Sequence, residues 1–470
     1  MMTIVTRMMV GALLVTSPVL AQTSADPFAA PIAAQDGVIK VNITEFASLP
    51  DVDGQPARMM LLVDEPGTRR LFVNDMRGLL YGVSYDGRSV MTYLDVGDGA
   101  WSTPVQSMGN ERGFQSFAFH PEFNQAGARG FGKFYTYLDT TNMTPTPDFI
   151  PDAPKHTHDT VLLEWTARNP AAATYDGGPP RELMRFRQPF ANHNAGHVSF
   201  NPLASPGGAD YGLLYIGVAD GGSGGDPLRL AQNLTSGFGK IFRIDPLGSG
   251  SPNGKYGIPT GNPFTTDGNP ATLGEIFAYG VRNPQRFAWD SRNGNLFLAD
   301  IGQNIVEEIS LLTAGANLGW NDWEGSYRFI SRQEVGLANP RGDPKVTYPL
   351  VEYGQPDPLL QPSSAVTGVI VYRATAIKAL ADLVLFGDNP SGEVFYFSAD
   401  TLPQGGQDSI RRVLFVRDGT AKTLLEIIKD KNIAQGKAPA TRADLRFGTG
   451  PNQQIFLLNK RDGTIRVLVP

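Results

Sequence analysis

The stretch Arg70-Leu-Phe-Val-Asn-Asp-Met-Arg-Gly-Leu-Leu-Tyr81 decides the fold class, because a short apolar run meets a turn and a second apolar run follows it. Related figures are Gly132-Lys-Phe-Tyr-Thr-Tyr137, Gly212-Leu-Leu-Tyr-Ile-Gly217 and Gly294-Asn-Leu-Phe-Leu-Ala-Asp300. Leu383-Val-Leu-Phe-Gly-Asp-Asn-Pro-Ser-Gly-Glu-Val-Phe-Tyr396 and Gln454-Ile-Phe-Leu-Leu-Asn-Lys-Arg-Asp-Gly-Thr-Ile-Arg466 complete the series. Anchors at Phe72, Tyr135, Tyr215, Phe297, Leu385 and Phe456 lie about 60 to 90 residues apart, further than the ~40–45 of a compact four-stranded blade. The pattern predicts an all-β chain, a six-bladed β-propeller with long inter-strand insertions. Such strands cannot bury an apolar face alone, whereas radial stacking buries both faces of each sheet and leaves only short edges. A β-sandwich is the rival reading, with strands at closer and more regular spacing.

The 53 Gly and 36 Pro are spread along the chain, as many turns between strands require. One helix is expected over residues 421–431, where Leu424, Leu425, Ile427 and Ile428 fall about a turn apart. Arg7 precedes a mainly apolar run from Met8 to Val15, and the stretch ends Val19-Leu20-Ala21, so residues 1–21 read as a signal peptide cleaved before Gln22. The run is too short to span a bilayer as a helix. The expected organisation is then a flexible segment over 22–36 and a single propeller domain over 37–470, periplasmic or secreted. With 0 Cys, disulfides and thiolate metal ligands are excluded, calcium at oxygen ligands stays open, and redox work would need a bound cofactor. A net charge of -6 with 18% charged residues offers no basic surface for nucleic acid and no polybasic membrane patch. Small or neutral molecules are the expected partners.

Residues able to do chemistry lie just outside the apolar runs. His193, in Ala191-Asn-His-Asn-Ala-Gly-His197, precedes one run, and Asp220 ends the next. Adjacent antiparallel strands would carry both to one end, where the carboxylate fixes the imidazole tautomer that a proton acceptor needs. A hydrogen-bonded structural histidine is the plainer reading, and His197 competes for the role. Arg282 and Asn283 follow an apolar run before Pro284, where a guanidinium can stabilise a developing oxyanion or else form a surface ion pair. Glu307, Glu308 and Glu324, with loop carbonyls near Gly302 and Gln303, are oxygen ligands of the kind Ca²⁺ takes, or else a solvated turn. Asp220-Gly-Gly-Ser-Gly-Gly-Asp226 lacks the Lys-Ser/Thr and the βαβ setting of a phosphate loop and reads as a flexible channel-mouth loop.

Taken in order, Gly113-Phe-Gln-Ser-Phe-Ala-Phe-His-Pro-Glu-Phe123, the His193 segment, Gln232-Asn-Leu-Thr-Ser-Gly-Phe-Gly-Lys-Ile-Phe-Arg-Ile-Asp245 and Tyr279-Gly-Val-Arg-Asn-Pro-Gln285 resemble the glucose/sorbosone dehydrogenase family. Gly302-Gln-Asn-Ile-Val-Glu-Glu308, Asn317-Leu-Gly-Trp320 and Phe386-Gly-Asp388 continue the resemblance toward the C-terminus. It implies a six-bladed propeller that oxidises a small sugar with pyrroloquinoline quinone (PQQ) and Ca²⁺ and passes electrons to a separate acceptor, a cytochrome or quinone. It also implies His193 as the base, Asp220 as its orienter and Arg282 as the stabiliser of the quinone oxygen. Glu111, Asn283, Arg442 and Arg446 would contact the cofactor. Gly302 and Gln303 would offer backbone oxygens to a cofactor-bound calcium, and Glu308 and the Leu318 carbonyl would fall at a second, structural one. The chain departs from the glucose-dehydrogenase pattern in three places: Glu111 stands for a Gln, Asn389-Pro-Ser-Gly392 lacks a cofactor-binding Lys, and Asp444 falls where a second arginine is expected, with Arg446 as its substitute. A non-catalytic carbohydrate- or protein-binding propeller of the hedgehog-interacting type is the alternative. A calcium lactonase would need several inward carboxylates around a central metal.

Overall fold

The computed structural model describes residues 22–470, so the expected signal peptide lies outside the described residues. The chain is nearly all β: its main strands group into six antiparallel four-stranded units, the fifth, sixth and first of them continuous as one 13-stranded sheet, and Thr23–Ser24, Val335–Gly336, Tyr327–Phe329 and Trp323–Glu324 form a small sheet outside them. The first comprises Met59–Glu65, Arg70–Asp75, Leu79–Ser84 and Val90–Asp95. The second comprises Phe114–Phe119, Lys133–Thr140, His158–Thr166 and Arg181–Gln188. The third comprises Val198–Phe200, Leu214–Val218, Lys240–Ile244 and Ile276–Tyr279. The fourth is Pro284–Trp289, Leu296–Asp300, Val306–Leu312 and Val351–Gly354, and the fifth is Val366–Tyr372, Leu383–Asp388, Val394–Ser398 and Arg411–Arg417. The sixth is made from both ends of the chain: Arg446–Thr449, Ile455–Leu458 and Thr464–Val469, completed by Ile39–Ser48. Every repeat anchor read from the sequence, Phe72, Tyr135, Tyr215, Phe297, Leu385 and Phe456, sits in the second strand of its sheet.

Apolar side chains are buried between successive sheets rather than between two faces of a sandwich. Phe72 and Phe117 meet between the first and second sheets, Leu162 and Phe242 between the second and third, and Ile241 and Phe287 between the third and fourth. Phe297 and Phe386 lie between the fourth and fifth, Leu385 and Leu457 between the fifth and sixth, and Val73 and Phe456 between the sixth and first. Two short parallel pairings also join neighbouring sheets, residues 39–42 with 413–416 between the sixth and fifth and 448–449 with 62–63 between the sixth and first.

A recurring polar contact sets where four of the six sheets begin. Asp75, Asp139, Asp300 and Asp388 end second strands or lie one residue from the end, and each accepts the backbone N–H of the residue preceding the first strand of its sheet. The donors are Arg58 at 3.0 Å, Gly113 at 2.9 Å, Asn283 at 2.7 Å and Ala365 at 2.9 Å. A carboxylate accepting a backbone N–H makes a charge-assisted bond, stronger than a neutral one, and it satisfies a donor that would otherwise be buried unpaired.

Two expectations shift. The helix runs over Leu424–Ala434 rather than 421–431, because Thr423 and Glu426 form a reciprocal capping box that fixes its start. The segment 22–36, expected to be flexible, is docked instead. Thr23–Ser24 pairs with Val335–Gly336, and the Thr23 hydroxyl donates to Glu334 at 2.6 Å. Ile32 is buried with its N–H on Asp357 at 2.7 Å, and Arg412 donates to the Ala34 carbonyl at 2.9 Å.

If Ile39–Ser48 completes the sixth sheet, Ile43→Ala should cost about 2 to 5 kcal/mol, the range for emptying a buried aliphatic site. Met91→Ala, at an exposed position, should stay within about 0.5 kcal/mol. Urea denaturation of both variants checks this, and equal midpoints would show that the N-terminal strand adds nothing to the assembly.

Candidate functional site

Val198 pairs with Ile216 in antiparallel register, so the segment before Val198–Phe200 and the segment after Leu214–Val218 emerge at the same end of the third sheet. There His193 Nδ1 lies 2.6 Å from Asp220 Oδ1, and Arg282 Nη2 lies 2.8 Å from His193 Nε2. A guanidinium cannot accept a hydrogen bond. Nε2 must therefore present its lone pair, which puts the ring proton on Nδ1, donated to Asp220. The acid is itself held, by the Trp320 indole N–H on Oδ2 at 2.9 Å and the Gly222 N–H on Oδ1 at 2.9 Å. Burial pushes Asp220 upward, but His193, Arg282 and the Gly222 N–H outweigh it and hold the carboxyl below its ordinary range. His193 sits at φ 58°, a left-handed conformation costly for a side-chain-bearing residue, and its N–H is clamped by Glu111 Oε2 at 2.6 Å.

Arg282 and Asn283 bridge the outer strand of the third sheet and the inner strand of the fourth, which Pro284 opens. Both backbone N–H groups donate to Asp300, at 2.8 and 2.7 Å. Burial raises Asp300 to about 7 despite those bonds. The Arg282 side chain donates to the Ile301 carbonyl at 2.9 Å and lies 5.7 Å over the Trp320 ring. It is buried, and among the described residues no carboxylate pairs with it, so the surface ion-pair reading fails.

These groups open on one cavity of about 290 Å³. His193, Arg282, Asn283, Glu111, Gly302, Gln303, Arg442 and Arg446 all line it, so most of the residues singled out from the sequence converge. Asp220 lies directly behind His193. The His197 ring is packed edge-on against Phe287 with its centroid 4.6 Å away, and burial followed by Arg286 holds its pKa well below the ordinary value. It is a core histidine.

The carboxylates expected near calcium do not line the cavity. Glu324 Oε1 accepts the N–H groups of residues 303–306 at 2.9 to 3.1 Å, which shapes the loop carrying Gly302 and Gln303. Glu307 takes the Val366 N–H at 2.9 Å and the Gln355 side chain at 2.6 Å, and burial raises it to about 8. Glu308 is pushed well up, by burial first and then by Asp300, Glu352, Glu324 and Glu307 around it. Leu318 packs its side chain between the third and fourth sheets. Among the described residues no three His, Cys, Asp or Glu side chains converge as a metal-ligand set. Gly302 admits no side chain, since a Cβ there would fall 1.5 Å from the Val306 carbonyl oxygen. The glycine-rich loop, expected to be flexible, is tied down by Asp226, which accepts the Leu230 and Ala231 N–H groups, and by Gln303, which accepts from Gly225 at 2.7 Å.

The cavity wall suits a polyanion. Arg282, Arg446 and Lys460 are buried, and among the described residues none has an ion-pair partner; Nε of Arg282 and of Arg446 lacks any hydrogen-bond partner. Buried charge without a partner is costly. Asp444 is absent from the lining and is taken up by Arg442, at 2.6 Å, and by Arg461. Sequence reasoning missed Trp320 and Asp300 as supports, though both lie in stretches it singled out, and it took in Lys460 only as part of a repeated strand, with no role at the site.

A sequence model described as glucose/sorbosone dehydrogenase matches residues 151–420. The chain belongs to the glucose/sorbosone dehydrogenase family. It is 28% identical to the HIPL1 protein of Arabidopsis thaliana over 89% of this chain and 62% of that one. It is 28% identical to the hedgehog-interacting protein of Homo sapiens over 48% of this chain and 29% of that one. The chain thus spans about six-tenths of HIPL1 and far less of the hedgehog-interacting protein. The PQQ-bound aldose sugar dehydrogenase of Streptomyces coelicolor superposes with a TM-score of 0.56 at 18% identity, covering 94% of this chain and 99% of that one. The apo-form of the soluble aldose sugar dehydrogenase of Escherichia coli gives 0.60 at 17% identity, covering 91% and 99%. At such identities the likeness carries the fold.

A carboxylate held below its ordinary pKa contributes stability that is present above the unfolded value near ~3.9 and lost as pH falls through the folded value. The stability advantage of the wild-type protein over Asp220→Asn should therefore be full at neutral pH and shrink on acidification below pH ~4. Thermal melts from neutral to acid pH check this. A constant difference across the series would mean that Asp220 is not held as an anion by His193 and Arg282.

Proposed function

We propose that this protein is a PQQ- and Ca²⁺-dependent sugar dehydrogenase of the aldose or sorbosone type, built on one closed six-bladed propeller over residues 37–470. The observation that carries the reading is the His193, Asp220 and Arg282 constellation at a cavity whose buried cations have no ion-pair partner among the described residues. PQQ is a tricarboxylate, so the cationic donor set of Arg282, Arg442, Arg446 and Lys460 fits it, with Asn283 beside Arg282 on the same wall. When bound, it would supply the two-electron acceptor that a protein without cysteine cannot provide from its own side chains. The carbonyls of Gly302 and Gln303 take no hydrogen bond from the described residues, which leaves them available to a calcium ion.

The chain's own part follows from the geometry. His193 Nε2 carries the lone pair and receives the proton of the sugar hydroxyl once Arg282 releases it. Asp220 stays ionised and stabilises the imidazolium that forms, while Glu111 holds the His193 backbone N–H and Trp320 holds the carboxylate. Arg282, stiffened by the Ile301 carbonyl and the Trp320 face, offers a fixed cation to an oxygen that gains negative charge. Electrons leave through a separate acceptor, a cytochrome or quinone, and the enzyme works in the periplasm or outside the cell. Among the described residues no helix is long and apolar enough to cross a membrane.

A protein-binding propeller is the second reading, favoured by the similarity to a hedgehog-interacting protein and by the acid at Glu111. Calorimetric titration of PQQ into calcium-loaded protein, followed by a dye-linked assay on a panel of aldoses, separates the two. The dehydrogenase reading expects tight binding and turnover, and neither would be seen for a pure binder. His193→Gln should lower kcat by about 10²- to 10⁴-fold, the usual contribution of a positioned base, with the melting profile retained. A variant that turns over at the wild-type rate would refute the base assignment.

A further inference from the structure

Around the six sheets, the position at or just beyond the second strand carries Asp75, Asp139, Asp220, Asp300 and Asp388 in the first five. The sixth breaks the series. Its second strand, Ile455–Leu458, is followed by Asn459 and Lys460, so a cation stands where the other sheets place an acid. Lys460 is buried, and among the described residues its Nζ meets only neutral groups, the Asn110 carbonyl at 3.0 Å and Met76 Sδ at 3.3 Å. It shares the cavity wall with Arg442 and Arg446.

Resting on the dehydrogenase reading, we propose that Lys460 is a carboxylate-binding residue of the cavity, the cation that the 389–392 loop does not provide. The charged groups facing it are Arg446, Asp444, Arg58 and Arg442. Asp444, the lone acid among them, is already engaged by Arg442 and Arg461, so it neutralises those arginines rather than Lys460. Burial, then Arg446, push the Lys460 ammonium well below its ordinary pKa, the mark of a charge that the protein alone does not compensate. An ammonium is a compact point charge, less demanding of geometry than a guanidinium. It suits one end of a rigid planar polycarboxylate, for which Arg442 and Arg446 on the same wall would be the further cationic donors.

The experiment titrates two probes, PQQ and 1,3,5-benzenetricarboxylate, into calcium-loaded wild type, Lys460→Met and Lys460→Arg, with thermal melts of each protein before ligand is added. Lys460→Met should weaken PQQ binding by about 10- to 100-fold, the worth of one charged hydrogen bond, while Lys460→Arg stays within a few-fold of wild type. Without ligand, Lys460→Met should melt no lower than wild type, since it removes an uncompensated buried charge. Lys460→Gln, which keeps a donor for the Asn110 carbonyl, replaces it should the methionine variant unfold. If wild type binds PQQ and the neutral variants bind it equally well, the role of Lys460 is overturned and the dehydrogenase reading stands. If benzenetricarboxylate binds through Lys460 but PQQ does not bind, the anion site stands and the dehydrogenase reading falls. If wild type binds neither probe, both fall.

Discussion

The structure depends on a carboxylate near the inner end of a second strand, reaching across to the backbone N–H that leads into the first strand. Asp75, Asp139, Asp300 and Asp388 all do this, each in its own sheet. Such a bond fixes where the chain enters the sheet and satisfies a donor that burial would otherwise strand. In the third sheet the same position is Asp220, yet its oxygens turn to the His193 ring, the Trp320 indole and the Gly222 N–H. A repeated structural acid has thus been diverted to orient an imidazole, and the left-handed backbone of His193 is supported by Glu111 instead.

The fold was legible in the sequence because its repeat is local. A strand with an apolar anchor and a following turn carries its own signature, and each of the anchors fell on a second strand. The pairing of His193 with Asp220 was legible for the same reason, since one antiparallel pair places both at one end. Arg446 opens the sixth sheet from within the lining, whereas Asp444, two residues earlier, faces Arg442 and Arg461. What stayed hidden was the use to which each acid is put. Nothing linear distinguishes Glu324, spent on the N–H groups of residues 303–306, from a metal ligand. Lys460 was hidden more deeply, because its neighbours Met76 and Asn110 belong to the opposite end of the chain and meet it only when the sixth sheet packs on the first.

Arg442, Arg446 and Lys460 share the cavity lining with Arg282, whereas Asp300, Glu307, Glu308 and Glu324, all four raised by burial, are absent from it. Among the described residues Arg282 forms no direct ion pair, yet its positive charge helps hold Asp220 low and opposes the rise that burial imposes on Asp300, Glu307 and Glu324. The guanidinium is therefore both a cavity group and the counter-charge of a buried acidic region. Removing it would do more than withdraw a cation from a ligand: these acids would take up protons more readily, and Asp300 would hold the Asn283 backbone less firmly. Any functional loss in an Arg282 variant would thus mix two causes. His193, whose removal leaves the acidic region and its counter-charge in place, isolates the chemistry of the site more cleanly than the arginine beside it.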